Sequence, residues 1–339
     1  SWTWLNGDPT NDKDTYLKYI DFSAEMGWEY VLLDEGWQPR VSGQWSYAGM
    51  YDWMDEVLEY AESKGVGLIV WSLYWDVAPP DNIKRLEEWA NLGIKGIKVD
   101  FFDDESQERL ATYDAIIEEA ARLHLLVNFH GSNKPSGQRR TWPHLLTREG
   151  VRGAEFKSPQ ADQNCIFPFT RNVVGPMDYT PVIRNYNSSR WLTQAHMAAQ
   201  HVIYESGIQC FADKPETYRA SKLYYFLKDF PAAWDDTKVL EGYPGQYITT
   251  ARKSGDNWYI GAICNDARVA EIPLDFLDDG TTYYATIYKD TTSINDVDVE
   301  LIEVTKSDVL SVPLNMRGGC AIKIQKTKPS VIESITLDH

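Results

Sequence analysis

Gly-Ile-Lys-Val-Asp-Phe-Phe, residues 96–102, decides how this chain is read. An apolar run this short, ending in an acid, reads as a buried strand that opens onto a polar site. An unpaired buried carboxylate costs roughly several kcal/mol, so such a strand seldom ends in one without a reason. Period two puts Lys98 and Asp100 on one side of the strand and Ile97 and Val99 on the other. In a closed parallel barrel the polar pair would face inward and the apolar pair would face the helices. A cation two residues away would favour ionised Asp100 and keep it a nucleophile near neutral pH. A structural ion pair inside the barrel is the competing reading.

A second run, Gly-Val-Arg-Gly-Ala-Glu-Phe (150–156), ends the same way at Glu155. There Glu155 alternates with Ala154 and Phe156, so it too is expected on a strand and facing inward. Two such strands in one chain suggest acid–base chemistry between carboxylates. Glycoside cleavage is the commonest chemistry built that way.

The surrounding pattern predicts the scaffold. Strands are expected at Trp2–Leu5, Tyr30–Asp34, Gly67–Trp71, Gly96–Phe101, Leu126–Phe129, Val151–Phe156, Val173–Tyr179 and Ile208–Ala212. Helices are expected between them, at Asp12–Met26, Met50–Lys64, Asn82–Leu92, Ser106–Leu123, Ser189–Ser206 and Pro215–Leu227. Ser106 suits an N-cap, with Leu110, Tyr113 and Ile117 recurring at helical steps behind it. Gly27, Gly65 and Gly93 stand where helices end. Eight β-α units imply an α/β fold, a (β/α)8 barrel over residues 1–240. After that the rhythm changes to strands without long helices, at Gln246–Arg252, Trp258–Cys264, Tyr283–Tyr288, Val299–Val304, Val309–Leu314 and Cys320–Gln325, separated by turns such as Ser254-Gly255-Asp256-Asn257. Residues 241–326 read as a small antiparallel β-sandwich and 327–339 as a tail.

Reactive groups in such barrels sit at the C-terminal ends of strands. Asp34-Glu35-Gly36-Trp37, Trp75, Lys98 with Asp100, His130, Glu155 and Asp178 all fall there. Asp34, Trp37, Trp75, Lys98, His130 and Asp178 are therefore candidates for binding substrate. Among 13 Trp and 20 Tyr, most serve packing, but flat amphipathic rings also suit sugar faces. Glu149 lies six residues before Glu155, and two nearby glutamates offer the oxygen ligands of a hard cation such as calcium; a solvated surface position explains Glu149 equally well. No second histidine stands at a metal-ligand spacing from His130, which favours a hydrogen-bonding role for it.

The composition excludes other classes. A net charge of −17 repels nucleic acid and anionic membranes, and no apolar run is long enough to span a bilayer. Cys165, Cys210, Cys264 and Cys320 form no CxxC pair, so buried free thiols are expected rather than a zinc or redox site. Six scattered histidines do not supply a metal-dependent isomerase or hydrolase centre.

At its motifs the chain resembles glycoside hydrolase family 97. The segments are Tyr-Val-Leu-Leu-Asp-Glu-Gly-Trp (30–37), Gly-Ile-Lys-Val-Asp-Phe-Phe (96–102), Asn-Phe-His-Gly (128–131), Arg-Glu-Gly-Val-Arg-Gly-Ala-Glu-Phe (148–156) and Gly-Pro-Met-Asp-Tyr-Thr-Pro (175–181). Inverting members carry a base glutamate after strand five, where this chain has His130-Gly131. Retaining members carry an aspartate on strand four, here Asp100. The resemblance therefore implies a retaining exo-acting glycosidase of the α-galactosidase type, with Asp100 as nucleophile and Glu155 as acid and then base. Direct attack would need the two groups about 5–5.5 Å apart. β-L-Arabinopyranosides, which share the ring stereochemistry, are the alternative substrate, and a sugar-binding barrel without catalysis is the alternative class.

The resemblance also implies calcium near the acid, with Glu149 and Glu155 among its ligands. It implies a large β-sandwich ahead of the barrel as partner, from the same gene product, because this chain begins at the first barrel strand. A periplasmic or extracellular site of glycan degradation is implied by the resemblance alone.

Overall fold

The computed structural model describes residues 1–41, 46–157, 160–184 and 191–330. The start expected for the helix at Ser189 and most of the expected tail, from 331 onward, lie outside the described residues.

Contacts divide the chain into two units. The first comprises Ser1–Gly153, Val174–Thr180 and Ser206–Pro215. The second comprises Ala154–Val173, Pro181–Glu205 and Glu216–His339. The boundary expected at 240/241 does not coincide with either limit.

In the first unit, helix and strand alternate: α1 (Lys13–Met26), β1 (Tyr30–Leu33), α2 (Met54–Ser63), β2 (Gly67–Leu73), α3 (Arg85–Asn91), β3 (Gly96–Asp100), α4 (Gln107–Arg122), β4 (Leu126–Phe129) and β5 (Leu145–Arg148). The five strands form one parallel sheet in sequence order. Isolated parallel bridges extend it, from Trp2 to Leu32 and from Met177 to Arg148. Trp2 N–H donates to the Phe211 carbonyl at 3.0 Å. The staves thus run Phe211, Trp2, β1 to β5, Met177, the (β/α)8 arrangement expected. The first, seventh and eighth staves make only isolated bridges or a few backbone hydrogen bonds where longer strands were expected.

The helices are set by their ends and their buried faces. Asp12 caps α1 by accepting the Thr15 N–H at 2.9 Å, and Gly27 closes it in the left-handed region at φ 70°. Its buried face repeats Tyr16, Tyr19, Ile20, Ser23 and Met26 at helical spacing. Ser106 caps α4, as expected, but the buried face there is Thr112, Tyr113, Ile116, Ile117 and Ala120; Leu110 is exposed.

A further departure from expectation bears on the site. Val151–Phe156 is not a strand; the sixth stave is β5, Leu145–Arg148, and Glu155 lies on the single 3-10 turn Ala154–Phe156. Two glycines explain this. Gly150 takes φ 44°, and a Cβ on Gly153 would lie 2.5 Å from the Tyr179 carbonyl oxygen. A glycine-bracketed Val-Arg pair therefore turns instead of extending.

The second unit holds α5 (Ala161–Asn164), α6 (Gln194–Ile203) and eight antiparallel strands: β6 (Asp236–Tyr243), β7 (Tyr247–Ser254), β8 (Asn257–Cys264), β9 (Arg268–Pro273), β10 (Tyr283–Asp290), β11 (Val297–Val304), β12 (Val309–Leu314) and β13 (Gly319–Gln325). Six form a sheet in the order β11-β10-β13-β8-β7-β6, and β12 pairs with β9. Ile260, Ala262, Ile272, Leu310, Val312, Ile322 and Ile324 share one core across both sheets. The helix expected at Pro215–Leu227 is two short ones, Pro215–Arg219 and Tyr224–Leu227. Between them the Ser221 hydroxyl accepts the Leu223 N–H, offering the backbone a partner outside the helix.

All of α6 is buried, and it packs on β8 and β13. Glycines permit the approach: a Cβ on Gly261 would sit 2.5 Å from the Ala199 carbonyl oxygen, and one on Gly319 would sit 2.7 Å from the His196 Cα. All four cysteines are buried and free, as expected. Among the described residues no helix is long and apolar enough to cross a membrane.

Gly261→Ala should force α6 away from the sheet and cost about 1–3 kcal/mol. A lowered urea midpoint at unchanged m-value checks this; an unchanged midpoint would show that the helix can yield.

Candidate active site

The barrel register stacks side chains into rows. Trp71, Lys98, Asn128 and Thr147 occupy paired positions on β2, β3, β4 and β5, and Leu73 pairs with Asp100 in the row above. Alternation then places Lys98 and Asp100 on one face of β3, as the sequence implied.

The lower row carries charge. Lys98 is 1% exposed and its Nζ lies 2.8 Å from Asp34 Oδ2, which also accepts the Trp2 indole N–H at 2.6 Å. Lys98 is expected to support Asp100; the structure pairs its Nζ with Asp34. Across the barrel, Asp178 accepts from Asn128 Nδ2 and faces His130 Nε2, each at 2.7 Å. Burial and Lys98 both disfavour a proton on His130, but the Asp178 carboxylate outweighs them and raises its pKa to about 9. Burial likewise opposes ionised Asp178, yet His130, Asn128 and Lys98 hold its pKa below the ordinary value. Two buried carboxylates are thus matched by two buried cations, the condition for keeping charge inside a barrel.

Asp100 stands above this row, partly exposed at the C-terminal end of β3. Its Oδ2 accepts the Trp71 indole N–H at 2.9 Å and its Oδ1 accepts the Phe101 backbone N–H at 2.7 Å. Phe101 reaches that position only by adopting φ 66°. Gly131 packs against the same point: a Cβ there would lie 2.7 Å from Phe101 N and 2.8 Å from Asp100 Oδ1. The carboxylate plane is fixed from both sides.

Glu149 follows β5 and is half-buried. Its Oε2 accepts the Gly131 N–H at 2.8 Å and lies 3.9 Å from His130 Nδ1. Trp75, on the single 3-10 turn after β2, is half-buried, and its ring meets that of Tyr74 edge-on at 5.0 Å. Trp37, a candidate for stacking on substrate, is fully buried and donates its N–H to the Trp71 carbonyl at 2.7 Å. Asp34, Lys98 and Asp178 are likewise sealed within the barrel at 1–2% exposure. Glu155 is half-buried and belongs to the second unit.

Family models match both parts of the chain: Glycoside hydrolase 97 over residues 3–151, and Glycosyl-hydrolase 97 C-terminal, oligomerisation, over residues 233–325. The chain belongs to glycoside hydrolase family 97. It is 40% identical over 333 residues to a probable retaining alpha-galactosidase of Streptomyces bingchenggensis, covering 94% of this chain and 51% of that one. It is 35% identical over 357 residues to a retaining alpha-galactosidase of Bacteroides thetaiotaomicron, covering 96% and 54%. The chain thus spans about half the length of the curated relatives it matches.

Among solved structures, a family 97 enzyme from Pseudoalteromonas sp. strain K8 in complex with acarbose matches with a TM-score of 0.85 at 28% identity, over 94% of this chain and 57% of that one. A beta-arabinopyranosidase matches with a TM-score of 0.81 at 28% identity, over 95% and 55%.

Trp71 was not among the residues expected at the site. The sequence shows a large residue at a strand end, but the acceptor for its N–H follows only from the register of β2 on β3.

Lys98→Met should leave Asp34 charged and unpaired in the barrel and cost about 3–5 kcal/mol. Adding Asp34→Asn should recover part of that loss. Chemical denaturation of both variants checks this.

Proposed function

We propose that this family 97 chain carries the catalytic barrel of a retaining α-galactosidase, acting by double displacement. Asp100 attacks the anomeric carbon while Glu155 protonates the departing oxygen. Water then displaces Asp100 with Glu155 as base, so configuration is retained overall. The observation that carries this reading is the pair of N–H donors that hold Asp100, partly exposed, at a barrel strand's C-terminal end. Electrostatic and geometric preorganisation of this kind is what a nucleophile needs. The place where inverting members keep a base glutamate holds His130-Gly131 here, and the curated relatives at 35–40% identity are named as retaining alpha-galactosidases. β-L-Arabinopyranosides are the second candidate substrate, because a beta-arabinopyranosidase shares the fold and 28% of the sequence.

Glu149 and Glu155 would hold the calcium implied by the resemblance. The donor chemistry fits: calcium takes six to eight oxygens, and Glu149 is a half-buried carboxylate fixed by the Gly131 N–H. The bound ion would supply positive charge near the acid and order the loop that carries it.

Asp100→Asn should lower turnover of nitrophenyl α-D-galactopyranoside on the order of 10⁴-fold. NMR of the first-formed product should show the α-anomer. Near-normal turnover in the variant, or a β-product, would overturn the proposal. The nitrophenyl β-L-arabinopyranoside, run in parallel, ranks the two substrates.

A chelator should reduce turnover, and calcium should restore it. Titration calorimetry should show calcium binding weakened at least tenfold, about 1.4 kcal/mol, by Glu149→Gln.

A further inference from the structure

We infer that Trp71 is the donor that stabilises Asp100 as it leaves the glycosyl-enzyme. The inference rests on the proposed role of Asp100 as nucleophile and adds a group to its machinery. Trp71 is 2% exposed, and its N–H points at Asp100 Oδ2 from 2.9 Å. Burial packs the indole in place, and Trp37 pins the main chain that carries it by donating to the Trp71 backbone carbonyl at 2.7 Å. The Arg40 guanidinium lies 5.1 Å from the ring centroid, held by Asp76 at 2.9 Å. A cation over the indole draws electron density from it and favours donation at its edge.

The two chemical steps use this bond differently. In the first, an Asp100 oxygen forms a bond to the anomeric carbon and the carboxylate loses its charge. A donor to that carboxylate stabilises the starting state, so its help there is limited to orientation. In the second, water adds to the anomeric carbon and the bond from carbon to Asp100 breaks. The bonding electron pair returns to the carboxylate, and the water proton passes to Glu155. Charge reappears on Asp100 in the transition state of this step, where a preplaced N–H counts most. Trp71 therefore governs breakdown of the intermediate more than its formation.

Trapping separates the steps. The full chain is labelled with 5-fluoro-α-D-galactosyl fluoride, excess reagent is removed, and reactivation is followed. Trp71→Phe keeps a ring in the barrel and removes the donor. Its reactivation should slow about 10- to 100-fold, with a smaller change in the inactivation rate constant. Reactivation at the parent rate overturns the inference, and so does an equal slowing of both steps, the mark of lost packing alone. A parent label on a residue other than Asp100 overturns the assignment of the nucleophile and this inference with it, whereas a label on Asp100 with unaltered reactivation in the variant overturns this inference only.

Should Trp71→Phe fail to fold, ¹⁵N-indole NMR of the parent and of Asp100→Asn provides a second measurement. The Trp71 N–H resonance should move upfield when its acceptor becomes a neutral amide; a resonance that stays in place overturns the inference.

Discussion

The ion pair between Lys98 and Asp34 is the constraint on which the barrel's working end depends. Both groups are almost completely buried, 2.8 Å apart on neighbouring-but-one staves. Desolvating either alone would cost several kcal/mol, roughly, so the pair stands or falls together. Its geometry requires β1, β2 and β3 to hold their register. The same register puts Trp71 beside Lys98 and Asp100 one row above. A slip of one residue would turn Lys98 and Asp100 toward the helices and strand both.

The His130 and Asp178 pair is a second matched couple beside it. Asn128 completes it, and Glu149 lies close to the imidazole. Four charged groups thus form a scaffold below Asp100. They are sealed from solvent, while Asp100, the carboxylate proposed as nucleophile, is partly exposed. Asp34, Lys98, His130 and Asp178, all candidates for substrate binding, make up this buried scaffold. Trp37, another candidate, is buried beside it and donates its indole N–H to the Trp71 carbonyl.

Strand β3 was legible almost to the residue, because an apolar run closed by an acid has few other readings. The end of α1 was legible through Gly27 and the start of α4 through Ser106. Family 97 was legible because its motifs combine several strand ends. The partner of Lys98 was not, since Asp34 lies 64 positions away and the pairing depends on register. The strand expected to carry Glu155 was misplaced because Val151 looked extended while Gly150 and Gly153 favoured a turn. Strand β6 escaped notice for another reason: it is a sheet edge, largely exposed, with few apolar residues to announce it. Strand β9 was missed too; its buried residues alternate with polar or exposed ones, so no continuous apolar run marks it.

Phe101 shows where side-chain mutagenesis would be blind. The residue is 39% exposed and its ring meets Trp71 edge-on at 6.4 Å, yet its main-chain N–H is aimed at Asp100 Oδ1 through a left-handed backbone. Alanine scanning would report on the ring alone. Only chemistry on the peptide link itself, such as an amide-to-ester exchange at residue 101, would expose that contribution. Sequence variation at this position would then speak of solvent and neighbours, and stay silent about catalysis.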